Sequence, residues 1–182
     1  MKNLLFTLLF SIPLLAFGQF GLEVGYSSFT GTSEDWEDAE SLGGFYGQLN
    51  YKTGDFVINL GADITTNSED IDGFGELTQA FVMLRLGVQY SISLSDNFSL
   101  NPGIKLGSYA LAFDFLGASA ASGSTGWAIG VDAVYMFTEN LGVNIGIDHN
   151  IISEGEWDGD IEGVVVEKYN GLSIRPGLKV YF

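Results

Sequence analysis

The chain has 182 residues, 46% of them hydrophobic and 14% aromatic, with 25 Gly, only 3 Pro, no Cys and a formal charge of -16. That length is one domain's worth, the lack of Cys excludes a disulfide framework, and the negative charge excludes a basic face for phosphate and with it a nucleic-acid partner. High hydrophobicity beside high negative charge predicts segregation, with apolar strands and acidic connections.

Residues 1–18 read as a cleavable secretory signal peptide. Lys2 gives a positive start, Leu4 to Phe17 is apolar with Pro13 as its break, and Ala16 and Gly18 are the small residues that favour cleavage after Gly18. The run is short for a membrane-spanning helix, which needs about 20 apolar residues. No Cys follows it, so lipid attachment is excluded. Residues 19–182 form one predicted barrel domain.

From there the apolar residues recur with a period of 2. Phe98, Leu100, Pro102, Ile104 and Leu106 alternate with polar or small residues, as do Leu141, Val143, Ile145 and Ile147. No helical stripe competes. Eight strands are predicted, near 20–29, 43–52, 56–65, 78–94, 98–113, 126–137, 141–152 and 168–182. Thr53-Gly54-Asp55, Ser95-Asp96-Asn97 and Thr138-Glu139-Asn140 are tight turns, whereas residues 30–42, 66–77, 114–125 and 153–167 are long connections. Short turns at one end and long loops at the other are the pattern of a transmembrane barrel with periplasmic turns.

A soluble sandwich also alternates, and three features argue against it. Ten residues at about 3.3 Å each, tilted about 40°, cover the ~25 Å apolar band of an outer-membrane barrel. The face opposite the apolar one carries charge at mid-strand, as expected when apolar side chains point to lipid and polar ones point inward. Aromatics gather at strand ends: Tyr51, Phe56, Tyr90, Phe98, Phe137, Phe182 and Phe20 make one interfacial girdle, and Tyr26, Phe45 and Trp127 make the other. The predicted fold is therefore all-β, a transmembrane eight-stranded antiparallel up-and-down barrel, closed because lipid tolerates no unpaired strand edge.

Strand parity assigns the charges. Asp63 lies seven residues from Phe56, Lys105 seven from Phe98, Asp148 seven from Leu141 and Arg175 seven from Phe182, with Arg85 and Asp132 at a similar height. All six point inward. Three acids and three bases in a lumen just wide enough for side chains are expected to pair and plug it. Glu23 and Lys179 make a second expected pair where first and last strands meet. Inward Gly61, Gly87, Gly103, Gly107, Gly130 and Gly146 leave room for the long side chains.

The connections carry most of the remaining acids. Glu34, Asp35, Glu37, Asp38 and Glu40 lie in the first, and Glu69, Asp70, Asp72 and Glu76 in the second. Glu154, Glu156, Asp158, Asp160 and Glu162 lie in the fourth. The preferred reading is a solvated, mutually repelling surface. The alternative is weak binding of divalent cations, with those five of the fourth connection as candidate ligands. They lack the Asp-x-Asp-x-Asp-Gly spacing of a dedicated calcium loop. The third connection is uncharged, and is read as mobile or packed over the barrel mouth.

The last eight residues, Arg175 to Phe182, resemble the C-terminal assembly signal of outer-membrane proteins: a polar residue (Arg175), Gly177, hydrophobic Val180 and a terminal aromatic, Phe182. With the signal peptide and the hairpin pattern, the mature chain resembles the small eight-stranded OmpA/OmpX-like barrels of Gram-negative outer membranes, with no periplasmic domain expected. The resemblance implies insertion by the outer-membrane assembly machinery, and outer-membrane lipid and lipopolysaccharide as surroundings. It implies no single activity.

Two enzyme families share such barrels, the lipid A palmitoyltransferases and deacylases. The deacylase signature puts a Ser two residues after a His. Here Ile151 follows the lone His149, and Ser153 is about 13 Å along the strand, too far to be activated. His149 is read instead as an interfacial side chain. No His lies near the first strand, where the palmitoyltransferase needs one, and one His without Cys gives metal catalysis no footing. No enzyme activity and no cofactor are expected. The leading function is a structural or surface-interaction barrel, the alternative is a narrow porin-like channel for small solutes, and a lipid A-modifying enzyme ranks last.

Overall fold

The computed structural model describes residues 18–32, 41–71, 75–116, 118–159, 165–166 and 170–182. Residues 1–17, all but the last of the expected signal peptide 1–18, lie outside the described residues, and Gly18 is paired with Thr53. The strands in chain order are β1 (Gly18–Gly31), β2 (Leu42–Thr53), β3 (Phe56–Ile71), β4 (Gly75–Tyr90), β5 (Ile92–Ser93), β6 (Phe98–Phe115), β7 (Ala118–Met136), β8 (Leu141–Ile152), β9 (Gly155–Gly159), β10 (Val165–Val166) and β11 (Asn170–Tyr181). Eight of them, β1, β2, β3, β4, β6, β7, β8 and β11, pair antiparallel in a closed ring, with β11 sealing against β1.

Sequence explains the hairpins. At the β2–β3 turn Thr53 faces Phe56, and Gly54 takes φ 57°, a left-handed value that glycine adopts without strain. At the β7–β8 turn the Thr138 hydroxyl accepts from the backbone N–H of Asn140 and Leu141. The C-terminus is tied down by its backbone: the Tyr181 N–H donates to Asn140 O and the Phe182 N–H to Phe20 O, both at 2.8 Å.

The period of 2 becomes two faces. From Phe81 to Tyr90 buried and exposed residues alternate without exception. The exposed set is apolar and faces outward, while the buried set fills the lumen. Register also shows the strand tilt. Leu22, Leu49, Leu60, Leu86, Leu106 and Trp127 are neighbours in one row across β1, β2, β3, β4, β6 and β7. That row starts beside Phe20 at the turn end and finishes at the opposite girdle, as a sheared barrel requires.

The strands run longer than expected at the loop end. β3 and β4 remain paired to Ile71 and Gly75, and β6 and β7 to Phe115 and Ala118. The connections 66–77 and 114–125 are therefore mostly paired strand. The third is not a loop over the mouth but the top of a hairpin turning at Leu116, whose φ is 56°. Apolar alternation marks a strand only where one face meets lipid. Above that level both faces of Ser119–Gly126 carry only small side chains, and backbone pairing needs no such pattern. Within 153–167, β9 continues the wall by pairing with β7. The strand expected at 78–94 ends at Tyr90, and Ile92–Ser93 form a short separate pair with β6.

Candidate functional site in the barrel interior

Three strands carry the same inward sequence of side chains at a spacing of four. From the turn end upward, β4 presents Gln89, Arg85 and Phe81. β6 presents Asn101, Lys105 and Tyr109, and β8 presents Asn144, Asp148 and Ile152. All nine are buried. The lumen is thus built in tiers: amides, then charges, then apolar side chains.

The charged tier is one connected network. Asp148 is its hub: Lys105 Nζ and Arg175 Nη2 each lie 2.7 Å from it, and Arg85 Nη1 lies 3.3 Å away. Arg85 also reaches Asp63 Oδ1 at 2.6 Å. Asp132 sits between Arg175 at 3.6 Å and Lys105 at 3.9 Å. Glu23 and Lys179 form a separate pair at 3.2 Å. Tyr46 links the two groups: its hydroxyl donates to Glu23 Oε1 at 3.0 Å, and the Arg175 guanidinium lies over its ring at 5.2 Å. None of the eight charged residues is more than 2% exposed. Isolated charges could not be held there at tolerable cost, so mutual pairing is what makes the tier possible.

Glycines set the spacing. A Cβ on Gly146 would meet Asp132 Oδ1 at 2.6 Å, and one on Gly107 would meet Arg85 Cγ at 2.8 Å. Gly177 lies inward beneath the Tyr46 hydroxyl, which a Cβ there would strike. The C-terminal residues Arg175, Gly177 and Val180 lie on β11, and Phe182 follows it, exposed at the turn-end girdle.

Reading only charged residues missed their neutral partners. Gln89 donates to Asp132 at 2.7 Å, Ser27 to Asp63 at 2.8 Å and Asn144 to Glu23 at 2.7 Å, while Gln48 accepts from Arg175 at 3.2 Å. The apolar tier was missed as well. Phe29, Leu42, Phe81, Met83, Tyr109 and Ile152 form a buried cluster across the lumen, with Phe29 and Phe81 rings 4.4 Å apart. The signal for both was available, because each of these residues has inward parity on its strand.

The other candidates stay apart from this site. His149 is exposed on the outer wall, beside Ile129 and Leu172, and Ser153 is exposed beyond the end of β8. Of the five acids considered for cations, Glu154 and Asp158 are exposed, Glu156 lies in β9, and Asp160 and Glu162 lie outside the described residues, as do Glu34, Asp35, Glu37, Asp38, Glu40 and Asp72. Among the described residues no group of three or more His, Cys, Asp or Glu is placed to hold a metal ion.

Comparison with known proteins matches this geometry. The sequence model of the outer membrane protein beta-barrel domain covers residues 4–175. The fold is similar to neisserial surface protein A, at 16% identity and a TM-score of 0.67 over 90% of this chain and 97% of that one. It is also similar to OprG of Pseudomonas aeruginosa, at 16% identity and 0.65 over 91% and 96%. Ail, the attachment invasion locus protein of Yersinia pestis, aligns at 13% identity and 0.61 over 91% and 99%. No curated protein sequence matches the chain.

Proposed function

This chain belongs to the outer membrane protein β-barrel domain family and lies in the outer membrane, and from that premise we propose that it is a sealed, non-enzymatic barrel whose work is done by its extracellular surface. The observation that carries the reading is the tiered lumen. A conducting pore needs a continuous wet path. Here the paired charges between Asp63, Arg85, Lys105, Asp132, Asp148 and Arg175 occupy mid-height, and the Phe29–Phe81–Tyr109 cluster occupies the extracellular side. Four acids and four bases are matched there, so the filling is neutral as a whole. On the same footing, the residues ending in Phe182 are the handle by which assembly machinery inserts the barrel.

Planar-bilayer recording tests the seal. The wild type is expected to show no steady conductance, and Arg85→Ala or Arg175→Ala to raise conductance or to lower stability. Stable, large, ion-selective openings in the wild type would replace this reading with the porin-like channel.

A further inference from the structure

One dent in the lipid-facing wall lies across β11, β1, β2 and β3. In the apolar band most outward positions carry large side chains, but Gly47 of β2 directly faces Ala62 of β3. A Cβ on Gly47 would meet nothing within 4 Å. Val24 and Leu84 flank this pair in the same row, Phe45 and Ile64 stand above it, and Leu49 and Leu60 below. Just above, along the seam between β11, β1 and β2, a groove of about 660 Å³ lies between Val24, Tyr26, Phe45, Pro176 and Leu178. Its floor is the backbone of Gly25 and Gly177. The cause is local. Pro176 has no N–H to donate, and the β1–β11 ladder breaks between the pairs Gly25–Gly177 and Ser28–Ile174.

We propose that this sector is a seat for an outer-leaflet glycolipid, with one acyl chain lying in the groove and across Gly47 and Ala62. Three observations select that occupant. The groove begins at the extracellular girdle of Tyr26 and Phe45 and descends, so a chain entering it comes from the outer leaflet. Immediately above it, on β1 and β3 and just before β2, stand the outward hydroxyls of Ser28, Thr30, Ser41 and Thr66, with Thr30 and Ser41 oxygens 2.7 Å apart, while Ile174 and Leu172 continue the apolar wall on β11. These donors suit the sugar and phosphate oxygens of a glycolipid headgroup. Phe45, 78% exposed, stands proud of the floor. A flat second barrel would rest on that ring and leave the groove empty, whereas a flexible chain fills it. The seat depends on membrane location alone and not on the sealed lumen.

Native mass spectrometry of the folded protein in detergent, with purified lipid A or phosphatidylethanolamine added, tests this. One lipid A is expected to stay bound to the wild type. Gly47→Phe, which fills the hollow, is expected to bind it about tenfold more weakly, while Ala133→Phe on the far wall binds as the wild type does. Val24→Trp narrows the groove from its other side and serves if Gly47→Phe fails to fold. The proposal is overturned by no retained lipid A, by equal retention of phosphatidylethanolamine, or by binding that a folded groove variant leaves unchanged. It is also overturned if Phe45→Cys copies crosslink to each other in liposomes, since that assigns the face to a dimer.

Discussion

Asp148 and Asp114 are the same side chain at two levels of one barrel. Asp148 is fully buried within reach of Lys105, Arg175 and Arg85. Asp114 stands exposed on β6, beside Thr78 and Ser119 in the register. The difference extends to their neighbours. Of the seven Lys and Arg in the chain, Arg85, Lys105, Arg175 and Lys179 are in the lumen. Lys52 is beside the short β2–β3 turn, and Lys2 and Lys168 lie outside the described residues. The bases are concentrated where an unpaired acid is most costly. In water an acid needs no partner, while in the lumen its desolvation must be offset by a cation and by hydrogen bonds.

Removing each aspartate should expose that contrast most strongly. Asp148→Ala leaves three buried cations with fewer acids between them, and should cost about 3–5 kcal/mol. Asp114→Ala should change stability by less than about 0.5 kcal/mol. Urea unfolding in liposomes measures both. Similar small losses would mean that the lumen is hydrated and its charges screened. The two should also separate in bilayer recordings, since Asp148→Ala leaves an excess of cationic side chains and any current it admits should favour anions.

A charge on the outer wall sharpens the comparison from the lipid side. Ile145 is exposed on β8 and Gly146 faces the lumen, one residue apart. Ile145→Arg places an unpaired cation near mid-bilayer and should cost about 2–4 kcal/mol. Gly146→Arg fails differently, by striking Asp132 and Arg175. If Ile145→Arg were neutral in liposomes, the outward face would not be against hydrocarbon.

What the sequence disclosed depended on which solvent each residue meets. Where lipid lies outside and a packed lumen inside, alternation is forced, and Phe98–Leu106 or Leu141–Ile147 could be read as strands with assigned faces. The inward heights of Asp63, Lys105, Asp148 and Arg175 followed from counting along those strands. Residues 118–125 read as loop because their side chains are small on both faces, which removes the apolar alternation while leaving the hydrogen-bond ladder intact. Gln89, Asn144 and Tyr46 were passed over for another reason. A neutral polar side chain shows its role only once a charge is placed against it, and which charge it meets is set by shear. The apolar tier is legible by parity alone, since Phe81 lies four residues from inward Arg85 and Tyr109 four from inward Lys105.

The smallest effect concerns acids that face each other without a base. Asp70 of β3 and Glu76 of β4 are direct register partners near the tip of the β3–β4 hairpin, and both are exposed. Like charges in opposed positions destabilise a ladder, and an opposite-charge pair contributes roughly 0.2–1 kcal/mol. Glu76→Lys should therefore slow amide exchange at the β3–β4 tip while leaving global unfolding unchanged, because the tip opens locally. The sign follows from charge alone, so the gain should vanish in 1 M salt, where the screening length falls to about 3 Å. A gain that persists in salt would assign the effect to the lysine methylenes packing on the strand. A loss of protection would mean that the two carboxylates are better held together than apart, as they are when a divalent cation bridges them. Repeating the exchange with Ca²⁺ present and absent would then separate that bridge from the solvated surface, and with it decide whether the acids outside the lumen are as unpartnered as those inside are paired.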